Sequence, residues 1–381
     1  MLIHTFANQD TLYQSKKSLL LTFSRKRNVL STSAFHGGFR SNLNCIFNFD
    51  EKPEKGKYCK MLAPTYEEHL LKIALDKLHL DPACCTGLST AASMENLAIE
   101  TETTALPDTV SESSSFTVTA VVTGGIDKNG ARIGDPACWQ EIDGNYFPIP
   151  GTINIFLHID ANLTPGAMAR ALMTCTEAKA AACEELFCPS LYSEGLATGS
   201  GTDGIILIAN PDSPVRLCSA GKDSKLGEMI GRSVLRAVKK AIGLQTGVTS
   251  SYQHHALRRL DRFGFTESIF YSYFQKIAAN KTFLTKEEFH AISDPLLSSG
   301  EWTTKASLSA HLLDQLNTGM LSGKEVLSAV KLLFPINESS SESYRLVLAE
   351  KEDNFKEEKF SFEQIKEYVF FLFTLSFYCS L

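Results

Sequence analysis

The sequence predicts an α+β fold: a layered sandwich of mixed or antiparallel sheet covered by helices, followed by a helical appendage. Three observations predict it. Gly151–Asn210 reads as strand, turn, long helix, glycine-rich loop and strand. Its two strands differ in kind: Thr152–Asp160 alternates, with Phe156 the exception, whereas Ile205–Ala209 is apolar on both sides. One-sided and two-sided strands together call for stacked layers. Beyond Gly247 the apolar spacing turns helical for the rest of the chain.

Length and charge bound the function. A chain of 381 residues holds two or three domains. The polar, glycine-containing stretch Gly247–Ser251 is the natural boundary, giving domains 1–250 and 251–381. A net charge of -6 leaves no basic excess to neutralise phosphates, so no nucleic-acid partner is expected. Met1–Lys16 is polar and mixed, unlike a secretory leader, so the expected compartment is the cytoplasm. The ten cysteines lack zinc-site spacing, and only Cys84 and Cys85 adjoin. They are expected as reduced, mostly buried thiols. The apolar run Tyr368–Leu381 is shorter than the roughly 20 residues of a transmembrane helix, so it is expected to pack and not to span a membrane.

In chain order, Ser18–Phe35 suggests two neighbouring strands flanking a basic tip, Arg25–Arg27. His36-Gly37-Gly38 is a turn, and Asn42–Phe49 a third strand. Glu51–Lys60 and Leu106–Ser115 read as solvated loops. The capping box Thr65-Tyr66-Glu67-Glu68 opens a helix to about Leu80. Cys84–Ala92 is small and rich in hydroxyls, and Phe116–Thr123 is a strand by β-propensity. Thr164 caps the long alanine-rich helix, Pro165 suits its first position, and Cys188-Pro189 stops it. Val215–Ser219 is a short strand. Ser224 caps a helix to about Ile242, on which Gly227 and Gly231 would allow a close crossing. Helices are then expected over Ser268–Ala279, Thr285–Ile292, Lys305–Leu316, Ser322–Phe334 and Phe362–Tyr378, with a loop at Ile336–Ser343.

Several places can carry chemistry. The loop Ala197–Gly204 (ATGSGTDG) gathers backbone amides, hydroxyls and one carboxylate. It suits an oxyanion-binding nest or a tight helix-to-strand turn. It is no Walker loop, since a strand follows and no Gly-Lys-Ser/Thr does. Asp203 is a general base, an orienter of one, or an acceptor that fixes the turn. Thr198, Ser200 and Thr202 are candidate nucleophiles, each needing an adjacent base. Glu177 and Lys179, two apart on a helix, do not face each other, so one is expected at the site and the other at solvent. His36 and His158 are the best-placed histidines. Asn129, Arg132 and Asp135 cluster after a strand end, where an arginine can hold a carbonyl or carboxylate or merely pair with Asp135. Lys222, Lys225 and Glu228 surround a helix start.

The motifs VLSTSAFHGG, CTGLSTAA, VTGGIDKNGARIGDP, GTIN, LTPGAMARAL, TEAKAAA, ATGSGTDGI and AGKDSKLGEMIGR, in this order, resemble the adenosylcobinamide amidohydrolases of corrinoid salvage. The resemblance spans roughly residues 10–250. It implies hydrolysis of the amide joining aminopropanol to the corrin side chain, giving adenosylcobyric acid and 1-amino-2-propanol. It also implies a small-molecule corrinoid partner and no cofactor of the protein's own, since cobalt arrives with the substrate. Asp203, His36, Glu177 and Thr198 are then the candidates for catalysis. Gly199, Ser200, Gly201, Thr202, Asn129, Arg132, Asp135 and Lys225 are the candidates for substrate binding. Two departures stand out: asparagine is frequent where His36 stands, and histidine where Asp223 stands. The second leaves a non-catalytic corrinoid binder as the alternative, beside an amidase of another substrate. The C-terminal helices offer a packing or homo-oligomer surface.

Overall fold

The computed structural model describes residues 1–52, 61–105, 115–137, 151–278, 284–335 and 360–381. Most of the expected loops at 51–60, 106–115 and 336–343 lies outside these residues. The chain divides into two units, Met1–Thr249 and Ser250–Leu381, each with its own core.

The first unit opens with strands β1 (Leu2–Thr5), β2 (Thr11–Gln14), β3 (Ser18–Thr22), β4 (Asn28–Ser31), β5 (Gly38–Arg40) and β6 (Cys45–Asp50). Helix α1 (Tyr66–Lys72) follows, capped by Thr65 and Glu68 and prolonged by a π-turn over Ile73–Lys77. Next come β7 (Cys85–Thr90), β8 (Ala98–Ala105), β9 (Ser115–Gly124), β10 (Gly130–Ala131), β11 (Ile153–Ile159) and β12 (Asn162–Leu163). Helix α2 (Pro165–Glu185) leads to β13 (Gly199–Ser200), β14 (Gly204–Ala209), β15 (Arg216–Leu217) and helix α3 (Lys225–Thr246).

Two sheets stack face to face. One runs β1-β2-β3-β6-β7 and the other β5-β4-β14-β11-β9-β8. Both are antiparallel except at one parallel pair each, β6–β7 and β11–β14. Leu19, Leu21 and Ile46 of the first meet Val121, Phe156, Ile206 and Ile208 of the second in one core. Helices α2 and α3 cover the outer face of the six-stranded sheet through Ile153, Ile155, Leu157 and Ile159. Helix α1 and its π-turn cover the other sheet against Phe47 and Cys85. The predicted layered α+β class is therefore observed, as helix, sheet, sheet, helix.

Three expectations change. Ser18–Phe35 is not a pair of adjacent strands, because β3 and β4 belong to different sheets. The chain crosses between layers at the basic tip, where Arg27 is buried against Asp10, Nε to Oδ2 at 2.8 Å. The second face of β11 is also covered, which accounts for Phe156. Asn154 donates to Asn48 Oδ1 and to the Ser89 carbonyl, both at 2.9 Å, and His158 Nε2 lies 3.0 Å from Asp10 Oδ2. Gly227 abuts the carbonyl of Gly221 instead of serving a helix crossing, and Gly231 faces open space.

The second unit is helical: α4 (Ala256–Leu260), α5 (Glu267–Ala278), α6 (Lys286–Leu297), α7 (Gly300–Asn317), α8 (Gly323–Leu333) and α9 (Phe362–Tyr378). Its core is aromatic. Phe265 stacks on Phe370 at 4.3 Å between centroids and meets Phe373 edge-on at 5.6 Å. The apolar C-terminal run thus packs inside this unit, each buried phenylalanine contributing roughly 1.5–3 kcal/mol. Among the described residues, no helix is long and apolar enough to cross a membrane.

Candidate active site

Helix α2 carries one wall of the site. The Thr164 hydroxyl accepts from the Ala167 N–H at 3.2 Å, and Pro165 occupies the first turn. Its buried stripe runs Ala167, Ala171, Cys175, Lys179 and Cys183. Small residues keep the helix close to the sheet, and Lys179 is the one charge on that stripe. A lysine is almost never this buried without a partner. Lys179 has one: its ammonium contacts Asp203 Oδ2, and each side chain is 10% exposed.

Asp203 stands between β13 and β14 and accepts four further hydrogen bonds. Ser200 Oγ donates to Oδ1 at 2.6 Å, the Ser200 N–H donates to both oxygens at 3.1 Å, and the Ile153 N–H donates to Oδ1 at 3.0 Å. The carboxylate therefore fixes the loop, ties it to the start of β11 and holds the ammonium at once. Gly199 is required here, since a Cβ would collide with both the Asp203 carboxylate and Lys179 Nζ.

The loop after β9 closes against the glycine-rich loop. β10 pairs antiparallel with β13, Gly130 opposite Ser200 and Ala131 opposite Gly199. The Thr198 N–H donates to the Ala131 carbonyl at 3.0 Å, and the Gly201 N–H to the Asn129 carbonyl at 3.2 Å. The Thr202 N–H donates to Ser200 Oγ at 3.3 Å. With the Ser200 N–H on Asp203, these four amides are satisfied within the fold and do not form an open nest.

The two loops and α2 enclose a cavity of about 800 Å³. Of the residues singled out in the sequence, Asn129, Arg132, Asp135, Glu177, Lys179, Thr198, Gly199, Ser200 and Gly201 line it, so Glu177 and Lys179 both border the cavity instead of one of them facing solvent alone. Asp203 lies behind them, against the lining residues Lys179 and Ser200. Thr202 does not line the cavity; its hydroxyl donates to the Gly151 carbonyl at 2.9 Å. Glu177 sits at the rim, half-exposed and 3.1 Å from Lys222. Asp135 accepts from the Arg132 N–H at 2.8 Å and from Ser190 Oγ at 2.6 Å. Burial works against its charge, but hydrogen bonds from Ser190, Ser193 and the Arg132 backbone outweigh it and hold the carboxyl below the ordinary range.

His36 and Lys225, expected at the site, lie elsewhere. His36 packs on Phe35 at 4.3 Å, with Nδ1 3.2 Å from the Cys85 carbonyl. Its φ of 51° is left-handed, a conformation that asparagine adopts readily, so the residue frequent at this position suits the backbone. Lys225 pairs with Glu228 at 2.9 Å on the first turn of α3, outside the cavity lining. Asp223 is exposed and does not line it either, so that departure leaves the cavity unchanged.

Lys179 and Tyr192 also line the cavity and were not among the expected site residues. Lys179 had a signal, a charge on an otherwise apolar helical stripe. Tyr192, whose hydroxyl donates to Asn129 Oδ1 at 3.0 Å, had none. The neighbouring thiols are inert: burial pushes Cys175 up to about 12 and raises Cys183 as well.

Comparison with known proteins decides the family. Residues 3–250 match the model of the adenosylcobinamide amidohydrolase family, CbiZ. The chain belongs to this family. The matched span contains every element of the cavity. An uncharacterized protein of Methanocaldococcus jannaschii, MJ1613, is 34% identical over 250 residues, covering 61% of this chain and 88% of its own length. Among solved structures, the PH0078 protein of Pyrococcus horikoshii aligns at a TM-score of 0.31 and 10% identity, over 63% of this chain and 81% of its own. That likeness is too distant to inform the site. Membership in the amidohydrolase family implies amide hydrolysis and a corrinoid substrate.

Proposed function

We propose that this amidohydrolase cleaves the aminopropanol amide of adenosylcobinamide, giving adenosylcobyric acid and 1-amino-2-propanol. The observation that carries the reading is the Lys179–Asp203–Ser200 cluster at the cavity wall, inside the span that matches the family. Amide hydrolysis needs a group to take and return a proton and a donor for the tetrahedral oxyanion. Asp203 is the carboxylate in hydrogen-bond reach of a cavity hydroxyl. The Lys179 ammonium supplies positive charge beside it, where low exposure strengthens electrostatic stabilisation. It takes over the role that the satisfied loop amides cannot fill.

Size and lining agree with an arm of a larger ligand. A space of about 800 Å³ is in the range of drug-sized pockets. A corrin ring with its adenosyl group is bulkier, so the amide arm and ring edge enter and the remainder stays outside. Leu172, Met173, Ala180 and Ile133 give the cavity apolar wall for the ring edge. Cobalt is part of the substrate, and no protein-held cofactor enters the scheme. The test is incubation of the purified full chain with a panel of corrinoids, including cobinamide without its adenosyl group. Liberated aminopropanol and cobyric acid are quantified by chromatography. Binding of adenosylcobinamide without amine release would identify a corrinoid binder instead.

A further inference from the structure

We propose that Ser200 is the nucleophile and that the reaction passes through a corrinoid ester of its hydroxyl. This rests on the amide-hydrolysis reading above and assigns the attacking atom within it. Three loop hydroxyls compete for the role. Thr202 Oγ1 gives its proton to a backbone carbonyl, that of Gly151, and lies outside the cavity lining. Thr198 Oγ1 accepts from the Ile133 N–H at 3.0 Å and spans the two loops. Ser200 lines the cavity and donates its proton to a carboxylate oxygen, Asp203 Oδ1, at 2.6 Å. A hydroxyl becomes a nucleophile only with a base in this position. The base is held in turn: the Ile153 N–H and Lys179 fix the Asp203 carboxylate, while the Ser200 N–H fixes the serine relative to it. Nucleophile, base and orienting group thus follow one another as in other acyl-transfer sites.

Ser200 Oγ attacks the amide carbon as its proton passes to Asp203, and the oxyanion forms beside Lys179. The C–N bond then breaks, and the nitrogen takes the proton from Asp203 and leaves as 1-amino-2-propanol. Water attacks the ester carbon and gives a proton to Asp203. The C–Oγ bond breaks, Ser200 recovers the proton, and the corrinoid carboxylic acid is released.

The test uses the full chain with adenosylcobinamide. Ser200→Ala is expected to fold as wild type by circular dichroism, to bind the corrinoid and to lose at least a hundredfold in kcat. Acid-quenched wild type, and Ser200→Cys as a second trap, are expected to carry a corrinoid acyl group on the peptide containing residue 200. Ser200→Ala above a tenth of the wild-type rate overturns the proposal. So does absence of an acyl adduct from both quenched proteins during turnover. Hydrolysis by wild type is the control: without it the proposed function fails, whereas turnover with an unmodified Ser200 fails only this inference.

Discussion

Asp203 holds together a loop, a strand end and a buried ammonium. Asp203→Asn would keep the side chain's shape, but it strands the Lys179 charge at 10% exposure. Removing one partner of such a pair costs roughly 3–5 kcal/mol. We expect Asp203→Asn to lower unfolding stability by about that amount in urea and to abolish turnover. The double change Lys179→Met, Asp203→Asn removes both charges. It should recover most of the stability and none of the activity. Equal stability of the single and double variants would show that the two side chains are not coupled. Gly199→Ala provides an independent check, since its methyl group enters the space of both side chains. A loss of more than tenfold in kcat/KM is expected, and unchanged kinetics would contradict the geometry. At this scale much of the site was legible. Glycines and hydroxyls at a helix-to-strand turn mark close backbone approach, and Asp203 was the sole carboxylate of its loop. What the sequence hides is pairing across distance. Lys179 and Asp203 are 24 residues apart and Ser200 meets Gly130 across the fold, neither of which periodicity encodes.

Between the two sheets, a polar cluster fixes how the elements are layered. Asp10 immediately precedes β2, Arg27 precedes β4 and His158 lies on β11; each is at most 2% exposed. Burial works against the Asp10 charge, but hydrogen bonds from His158, Arg27 and the Ser24 N–H outweigh it and hold the carboxyl at about 2. The folded pKa lies below the ordinary 3.8, so the carboxylate contributes stability that is present above pH ~4 and lost as pH falls towards 2. Asp10→Asn removes that dependence. The stability gap between wild type and this variant should narrow by about 1 kcal/mol between pH 5 and pH 3 in denaturant titrations. A constant gap would mean that Asp10 is not held ionised by its partners. A buried arginine at a basic tip looks like a solvated hairpin, so β3 and β4 were expected side by side. Strands β7 and β8 were not anticipated because small hydroxyl residues and exposed glutamates lack the apolar alternation that marks a strand. The long helices, by contrast, were legible because Thr164 and Ser224 cap them as the sequence suggests.

At the scale of the molecule, the cavity and the ion pair lie within Met1–Thr249, and the family span, residues 3–250, runs one residue past it. We therefore expect a chain ending after Thr249 to retain kcat/KM within a few-fold of the full length. A truncation that is folded by circular dichroism yet inactive would give the helical unit a direct part in activity. The most direct measurement of the central claim is a stoichiometric one. The purified full chain is incubated with adenosylcobinamide, and 1-amino-2-propanol and adenosylcobyric acid are quantified over time, beside the Lys179→Met, Asp203→Asn protein as control. Wild type is expected to give the two products in a one-to-one ratio, and the double variant neither. Intact adenosylcobinamide after prolonged incubation with folded wild type, or equal product from both proteins, would contradict it.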